Sequence, residues 1–152
     1  MYKFRFPLVA LMIIVLFFTS CKKKEPFVDP AFIFLKWSSA VKNLNYNEYR
    51  ECEAFPKDAD VFRDLYGEFY YADLVIRNMG KFNEKDIGTD FEGYRYNHRM
   101  LYFECKRISR ETGKSVANMK GEVEFIKYLD GPRIESGWLM HNRTIIRLGF
   151  GE

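Results

Sequence analysis

The sequence has few of the residues that carry metal or covalent chemistry, with only two histidines and three cysteines among 152 residues. No cysteine or carboxylate stands at a recognisable ligand spacing from His98 or His141, so we expect exposed strand histidines and no metal site. The Gly-x-Ser-x-Gly motif is missing, and neither Cys52 nor Cys105 lies near a histidine, which leaves a nucleophilic triad unsupported. We therefore name no catalytic residue and expect no cofactor.

The chain also lacks a strong excess of charge of either sign. Its 24 Lys and Arg stand against 21 Asp and Glu, a net charge of +3. This balance excludes a nucleic-acid polyelectrolyte. Gly113-Lys114-Ser115 is similar to part of a phosphate-binding loop, but that motif needs a glycine at position 108, where the chain has Ile. The segment joins two predicted strands, so we interpret it as a hairpin turn.

No apolar run in the sequence is long enough to cross a bilayer. The longest, from Leu8 to Phe18, has 11 residues and would rise only about 16 Å as a helix, roughly half of the hydrocarbon thickness. It follows two cations, Lys3 and Arg5. This arrangement is typical of the apolar region of a secretory signal peptide.

Small residues stand directly before a cysteine at the end of this run, in Phe18-Thr19-Ser20-Cys21. The tetrapeptide resembles the lipobox of bacterial lipoproteins, with Phe in place of the commonest Leu. The resemblance implies that residues 1–20 are removed, that the Cys21 sulfur carries a diacylglyceryl group and that the new amine is acylated. Several acyl chains on one residue give a stable membrane anchor. A soluble secreted protein with a chance cysteine is the alternative.

The lipobox resemblance sets the expected location and domain limits. The resemblance implies that the protein is bound to a membrane through its lipid, and the expected compartment is the cell envelope of a bacterium. No Asp follows Cys21 directly, which favours the outer over the inner membrane. Residues 21–28 are charged and aperiodic and are interpreted as a tether, and residues 29–152 as one domain. A nucleic acid is not expected as a partner of such a protein.

Helix signals fill the first part of the expected domain. Asp29-Pro30 is a capped helix start, and Asn45 with Glu48 forms a capping box for a second helix. Apolar residues at spacings of three and four support both helices. We expect helices from Pro30 to near Asn43, from Tyr46 to Ala54, and from Asp58 onward, the last with Phe62, Leu65, Tyr66 and Phe69 on one side.

Strand signals fill the rest, where aromatic and branched residues are enriched. Four strands are predicted, at residues 71–79, 94–108, 119–129 and 137–148, with a polar loop over residues 81–93 and a hairpin turn over residues 110–114. In the last strand, alternation places one set of side chains on one face, namely Trp138, Met140, Thr144, Ile146 and Leu148. The other face carries Leu139, His141, Arg143 and Arg147.

Helices first and strands after predict an α+β fold, with N-terminal helices packed on a curved antiparallel sheet of about four strands. This order resembles the nuclear transport factor 2-like (NTF2-like) superfamily from Asp29 to Leu148. The resemblance includes an N-Y-x-x-Y motif at Asn45 in the short second helix and Gly137-Trp138 at the last strand. It implies a cone formed by the sheet and closed by helices. A cystatin-like helix-on-sheet layout is the alternative and would need the second and third helices to be loops.

The resemblance also implies where a pocket would lie. Enzymes of this superfamily place Asp, Tyr or His at the mouth of the cone for proton transfer, which makes four residues pocket candidates: Tyr70, Asp73, His98 and Tyr102. Nothing in the sequence shows that these groups converge. An Asp on a solvated strand face and tyrosines in the core are the simpler interpretation.

Two further sets of residues have simple expected roles. With Cys21 lipidated, Cys52 and Cys105 remain as an even pair in a disulfide-permissive compartment, and they form either one disulfide or two buried thiols. A basic cluster is expected to pair across strands with Glu104, Glu122 and Glu124. Its members are Arg95, Arg99, Lys106, Arg107 and Arg110.

The expected function is that of a lipid-anchored envelope protein whose domain is a noncatalytic binding or scaffolding module, with an envelope protein or a small ligand as partner. The alternative is a small NTF2-like enzyme or ligand carrier that uses the cone. An apolar pocket with Asp73 or His98 at its base would favour the alternative, and a cone filled with Phe and Tyr would favour the module. A third possibility is a subunit that docks a partner on an open sheet face with large exposed apolar area.

Overall fold

The computed structural model describes residues 29–150. The predicted leader, the lipobox-like segment with Cys21 and the predicted tether over residues 21–28 lie outside the described residues. Among the helices formed by residues 29–150, none is long and apolar enough to cross a membrane.

Three helices come first: α1 is Pro30–Lys42, α2 is Tyr46–Cys52 and α3 is Ala59–Tyr66. Both capping interactions expected from the sequence form. The Asp29 carboxylate accepts a hydrogen bond from the Ala31 amide at 2.8 Å, and the Asn45 side chain accepts one from the Glu48 amide at 3.3 Å. The second helix ends two residues before Ala54, because that residue donates its amide to Met140 O at 2.8 Å in an extended segment.

Five strands follow: β1 Phe69–Met79, β2 Ile87–Thr89, β3 Arg95–Ser109, β4 Ser115–Tyr128 and β5 Trp138–Phe150. They form an open antiparallel sheet in the order β1-β3-β4-β5, and β2 pairs with β3. Helices on an antiparallel sheet confirm the α+β prediction. The second and third segments predicted as helices form helices and not loops, as the NTF2-like layout requires. The short β2 lies in the segment expected to be loop, since three residues carry no readable alternation.

The antiparallel register gives the sheet two different ends. Residues 80–94 and 129–137 connect strands at one end, which we call the loop end; residues 110–114 turn at the other, the hairpin end, where Gly113 has the expected positive φ of +67°. Arg110 donates to the carbonyl oxygens of Val41 and Lys42 at 2.6 and 2.7 Å. Helix α1 therefore ends at the hairpin end and begins toward the loop end.

The helices cover one face of the sheet, which we call the inner face. Aromatic rings fill the space between them: Phe34 lies 4.7 Å from Phe103, and Tyr49 lies 4.6 Å from Phe62, between ring centroids. Such close contacts give the density expected of a protein interior. The buried residues of this core include Phe34, Trp37, Tyr49, Phe62, Tyr66, Leu101, Phe103, Cys105 and Phe125. Leu65, expected on the buried side of α3, is exposed.

A β-bulge in β5 changes which side chains face the core. Met140 pairs with Phe125 and Asn142 pairs with Glu124, so His141 is the extra residue. After the bulge, Ile145 packs against the inner core. The predicted single alternation was therefore wrong beyond Met140: the side chains at Thr144, Ile146 and Leu148 are exposed on the opposite face, which we call the outer face.

Cys52 and Cys105 are buried free thiols, the second of the two alternatives. The Cys52 thiol donates to Glu48 O at 3.2 Å. Burial raises the pKa of each thiol to about 11. Since the thiolate is the reactive form, both side chains are poor nucleophiles near neutral pH.

Candidate functional site

The four pocket candidates are spread along the sheet. Tyr70 lies at the hairpin end, where the Lys42 ammonium and the Arg110 guanidinium stand 5.7 and 5.1 Å from its ring centroid. It pairs with Ile108, ten positions along β3 from His98, which corresponds to about 33 Å of strand. These two side chains cannot line one small pocket.

Asp73 and Tyr102 are separated from the inner core. Asp73 lies on the edge strand β1 at a register shift, with its side chain 64% exposed and 3.0 Å from the Lys106 ammonium. Tyr102 is exposed on the outer face. The structure therefore does not bring the four candidates together, and no base of a cone is formed by Asp73 or His98.

The inner face instead holds a buried ion pair that the sequence did not reveal. The Glu53 carboxylate accepts hydrogen bonds from Arg143 and, at 2.9 Å, from the Trp37 indole. The Arg143 guanidinium lies 4.8 Å from the Trp37 ring centroid. Burial opposes the charge on Arg143, but the Glu53 carboxylate outweighs it and raises the pKa of Arg143. The pair thus ties the end of α2 to β5.

A polar pocket of about 310 Å³ opens beside this ion pair, between the segment after α2 and the bulge of β5. Tyr49, Glu53 and Lys57 line one side, and His141 and Arg143 line the other. Its mixture of cationic and hydrogen-bonding groups suits a small polar molecule. It lies at the edge of the fold, since aromatic side chains occupy the space beneath the helices.

The two histidines converge on one carboxylate of the outer face. His98 Nδ1 lies 3.1 Å and His141 Nδ1 lies 2.9 Å from the two oxygens of Glu124, and His98 Nε2 lies 2.9 Å from Asp86. We call these four residues the histidine cluster. The sequence predicted two exposed histidines. Both are instead partly buried, and they lie on β3 and β5 on either side of Glu124 in β4. Only the strand register and the bulge at His141 bring them together, and neither has a local sequence signal.

The histidine cluster carries coupled pKa shifts. Hydrogen bonds to Asp86 and Glu124 raise the pKa of His98 against a smaller effect of burial. Burial opposes the charge on Glu124, yet hydrogen bonds from His141, His98 and Asn142 lower the pKa of that carboxyl. Within residues 29–150 no group of three or more candidate ligands is arranged to hold a metal ion.

These shifts predict a pH dependence of stability. A raised pKa in the folded state means that His98 stabilises the protein below its unfolded pKa of 6.5 and that this contribution disappears as pH rises through the folded value. Glu124 acts in the opposite sense, since its contribution is lost as pH falls below about 4.5. We expect the free energy of unfolding to fall between about pH 6 and pH 8.5 by less than about 1 kcal/mol, because Asp86 is largely solvated.

Urea unfolding at the two pH values, with His98→Gln as the matched variant, measures this effect. Gln keeps hydrogen-bonding capacity but does not titrate, so the decrease between the two pH values should shrink in this variant. An unchanged pH dependence in His98→Gln would contradict the assignment.

The basic cluster is not paired as the sequence predicted. Arg95 binds Asp130 at 2.7 Å, and Arg99 donates to Gly80 O at 3.1 Å. Lys106 pairs with Asp73, Arg107 lies over the Phe69 ring and Arg110 binds helix carbonyls. The prediction of cross-strand pairing with Glu104, Glu122 and Glu124 was wrong for these contacts, because Glu104 pairs with Arg77 and Glu124 with the two histidines instead.

The outer face carries a shallow groove of about 380 Å³ across β3, β4 and β5. Tyr102 and Ile146 supply its apolar walls, and further along the same face Val75 and Leu148 are also exposed. Charged residues border the groove, among them Arg77 and Glu104, which pair at 2.5 Å, and Lys120 and Glu122. An apolar strip within a polar rim is the usual composition of a protein-binding surface.

Comparison with family models, with curated proteins and with solved structures gave no match.

Proposed function

We propose that this chain is a lipid-anchored protein of the bacterial cell envelope, held in the outer membrane, and that its domain is a noncatalytic binding module. In this proposal Cys21 carries the lipid, and the outer face of the sheet binds an envelope protein.

One observation carries the choice of a binding module over an enzyme. The space under the helices, where an NTF2-like enzyme would hold its substrate, is occupied by aromatic side chains, with Phe34, Trp37 and Phe62 almost fully buried. The titratable candidates Asp73 and His98 lie away from this space. A filled cone supports a role in which the fold displays a surface.

The outer face is the surface that we assign to the partner. It combines exposed Tyr102, Ile146 and Leu148 with charged neighbours on β3 and β4. Solvent-exposed aliphatic and aromatic residues grouped on one sheet face lose unfavourable contact with water when a partner covers them.

A small-ligand carrier is the second candidate. The pocket of about 310 Å³ beside the Glu53–Arg143 pair favours it, because it offers charged and hydrogen-bonding groups in a concave site. Native mass spectrometry of the purified protein would reveal a retained small molecule and place this candidate first.

Metabolic labelling with a palmitate analogue tests the anchor. Wild type should be labelled and recovered with membranes, whereas Cys21→Ala should lose the label and keep its leader. Cys52→Ser serves as the control, because this thiol is buried and should not affect labelling. Equal labelling of wild type and Cys21→Ala would refute the anchor.

Site-specific photo-crosslinking in the same cells tests the binding surface. A photoreactive residue at Ile146 on the outer face is compared with one at Leu65 on α3, since both residues are 52% exposed and both are branched aliphatics. We expect a discrete crosslinked protein at Ile146 and none at Leu65. Equal or absent crosslinking at both positions would contradict the assignment of the outer face.

A further inference from the structure

Large apolar side chains are exposed at the loop end of the domain. Phe91 is 80% exposed, and three other side chains there are exposed to nearly half: Phe82, Ile87 and Ile134. They come from two separate parts of the chain, namely residues 80–94 and residues 129–137. Single exposed apolar residues are ordinary, but a group at one end indicates a contact surface.

Tertiary contacts hold the loops that carry these side chains. Asp90 accepts hydrogen bonds from the amides of Glu92 and Tyr94 and from the Tyr128 hydroxyl, at 2.9 to 3.0 Å. The Phe91 ring lies 5.1 Å from Phe55, between centroids, yet most of its surface stays in solvent. The second loop is tied down by the Arg95–Asp130 pair. The apolar side chains are thus displayed on fixed supports.

The first helix begins on the side of the domain that faces this end. Arg110 fixes the C-terminal carbonyls of α1 at the hairpin end, so Asp29 and the first turn of the helix lie toward the loop end. Seven residues separate Cys21 from Asp29, and the eight steps between these two positions span about 28 Å even when fully extended. A lipid on Cys21 therefore leaves the loop end within reach of the bilayer.

The charges of the loop end indicate how it would meet a bilayer. Residues 80–94 contain Lys81 and Lys85 against four acidic residues: Glu84, Asp86, Asp90 and Glu92. The net negative charge of these residues supplies no attraction to anionic headgroups, so the attraction at the loop end comes from the apolar side chains. Phe and Ile at loop tips are suited to the boundary between headgroups and acyl chains, where aromatic rings are favoured.

We propose that the loop end rests on the lipid bilayer, with Phe91 and its apolar neighbours inserted at the headgroup boundary, so that the outer face of the sheet stands beside the membrane plane and stays open to a partner. This inference rests on the proposed lipid anchor and adds an orientation to it. The contact is apolar, so it should persist at high salt.

Fluorescence quenching in vesicles tests this orientation on the full lipidated protein. An environment-sensitive dye is attached to Glu92→Cys at the loop end and, as a matched control, to Glu111→Cys at the hairpin end, in phosphatidylcholine vesicles with brominated acyl chains. Both positions are exposed glutamates in turns. The native Cys52 and Cys105 are buried, so the dye reacts at the introduced thiol.

We expect strong quenching at position 92 and none at position 111. Phe91→Ser in the Glu92→Cys protein should weaken the quenching without releasing the protein from vesicles, because the lipid stays attached. Equal quenching at both positions, or quenching at position 111 alone, would overturn the proposal. A dye at position 92 that is shielded from water only after a second protein is added would overturn it as well. A protein that neither takes up palmitate nor floats with vesicles would refute the anchor instead, which separates the two failures.

Discussion

Arg143→Met should lower the free energy of unfolding by about 3–5 kcal/mol, the largest effect expected of a single substitution at the buried ion pair. The substitution keeps much of the side-chain volume but removes the cation from Glu53, which is 6% exposed. An uncompensated carboxylate at this depth must either stay charged without its partner or take up a proton. Urea unfolding followed by fluorescence measures the loss, because Trp37 lies directly against the guanidinium.

Two further variants separate the missing partner from a simple loss of packing. Glu53→Gln combined with Arg143→Met removes both charges, so it should recover a substantial part of the stability lost in the single variant. Arg63→Ala removes an exposed cation whose ion pair with Asp60 is largely solvated, and it should cost less than about 0.5 kcal/mol. If the double variant is as unstable as Arg143→Met, packing and not the unpaired charge explains the effect.

The features that could be predicted from the sequence are those decided within a few residues. Asp29 and Asn45 each cap a helix through an amide two or three residues away, and Gly113 occupies the turn position that needs positive φ. The segregation of helices and strands then gives the α+β class. The α+β prediction holds because each of these signals is local and agrees with its neighbours.

The arrangement that defines the sites depends on contacts between distant segments. The bulge at His141 moves the next side chains to the opposite faces, and no pattern in β5 marks it, because Thr144, Ile146 and Leu148 still alternate with Arg143 and Arg147. Glu53 leaves the helix to bridge with Met140, 87 positions later, which no local helix signal indicates. The ion pair and the histidine cluster both follow from these two departures.

The positions of the pocket candidates taken from the family resemblance also depend on contacts between distant segments. A superfamily pattern indicates which strand positions tend to face a cone, but the register shift in β1 decides where Asp73 points in this chain. The aromatic residues that fill the core were visible as composition, whereas their packing under the helices required the structure.

Gly121→Val should destabilise the protein by about 3 kcal/mol or more, although strand propensity alone favours valine over glycine by up to about 1 kcal/mol. A Cβ atom at this position would collide with the Thr144 carbonyl oxygen and lie 2.8 Å from Cζ of the Phe103 ring. The first neighbour is backbone of the paired strand β5, and the second packs against Phe34, so neither has room to yield. The free energy of unfolding by urea measures the loss.

Gly149→Val is the matched control on the paired strand. No atom lies within 4 Å of a Cβ built there, so the substitution should be neutral or stabilise by up to about 1 kcal/mol through strand propensity. Opposite signs at the two glycines would show that close approach of β5 and Phe103, and not the intrinsic cost of a glycine in a strand, explains Gly121. Phe103 lies between Gly121 and Phe34. Equal effects at the two positions would therefore mean that the core beneath the helices is less filled than the structure has it. The proposed noncatalytic module would then lose its main support.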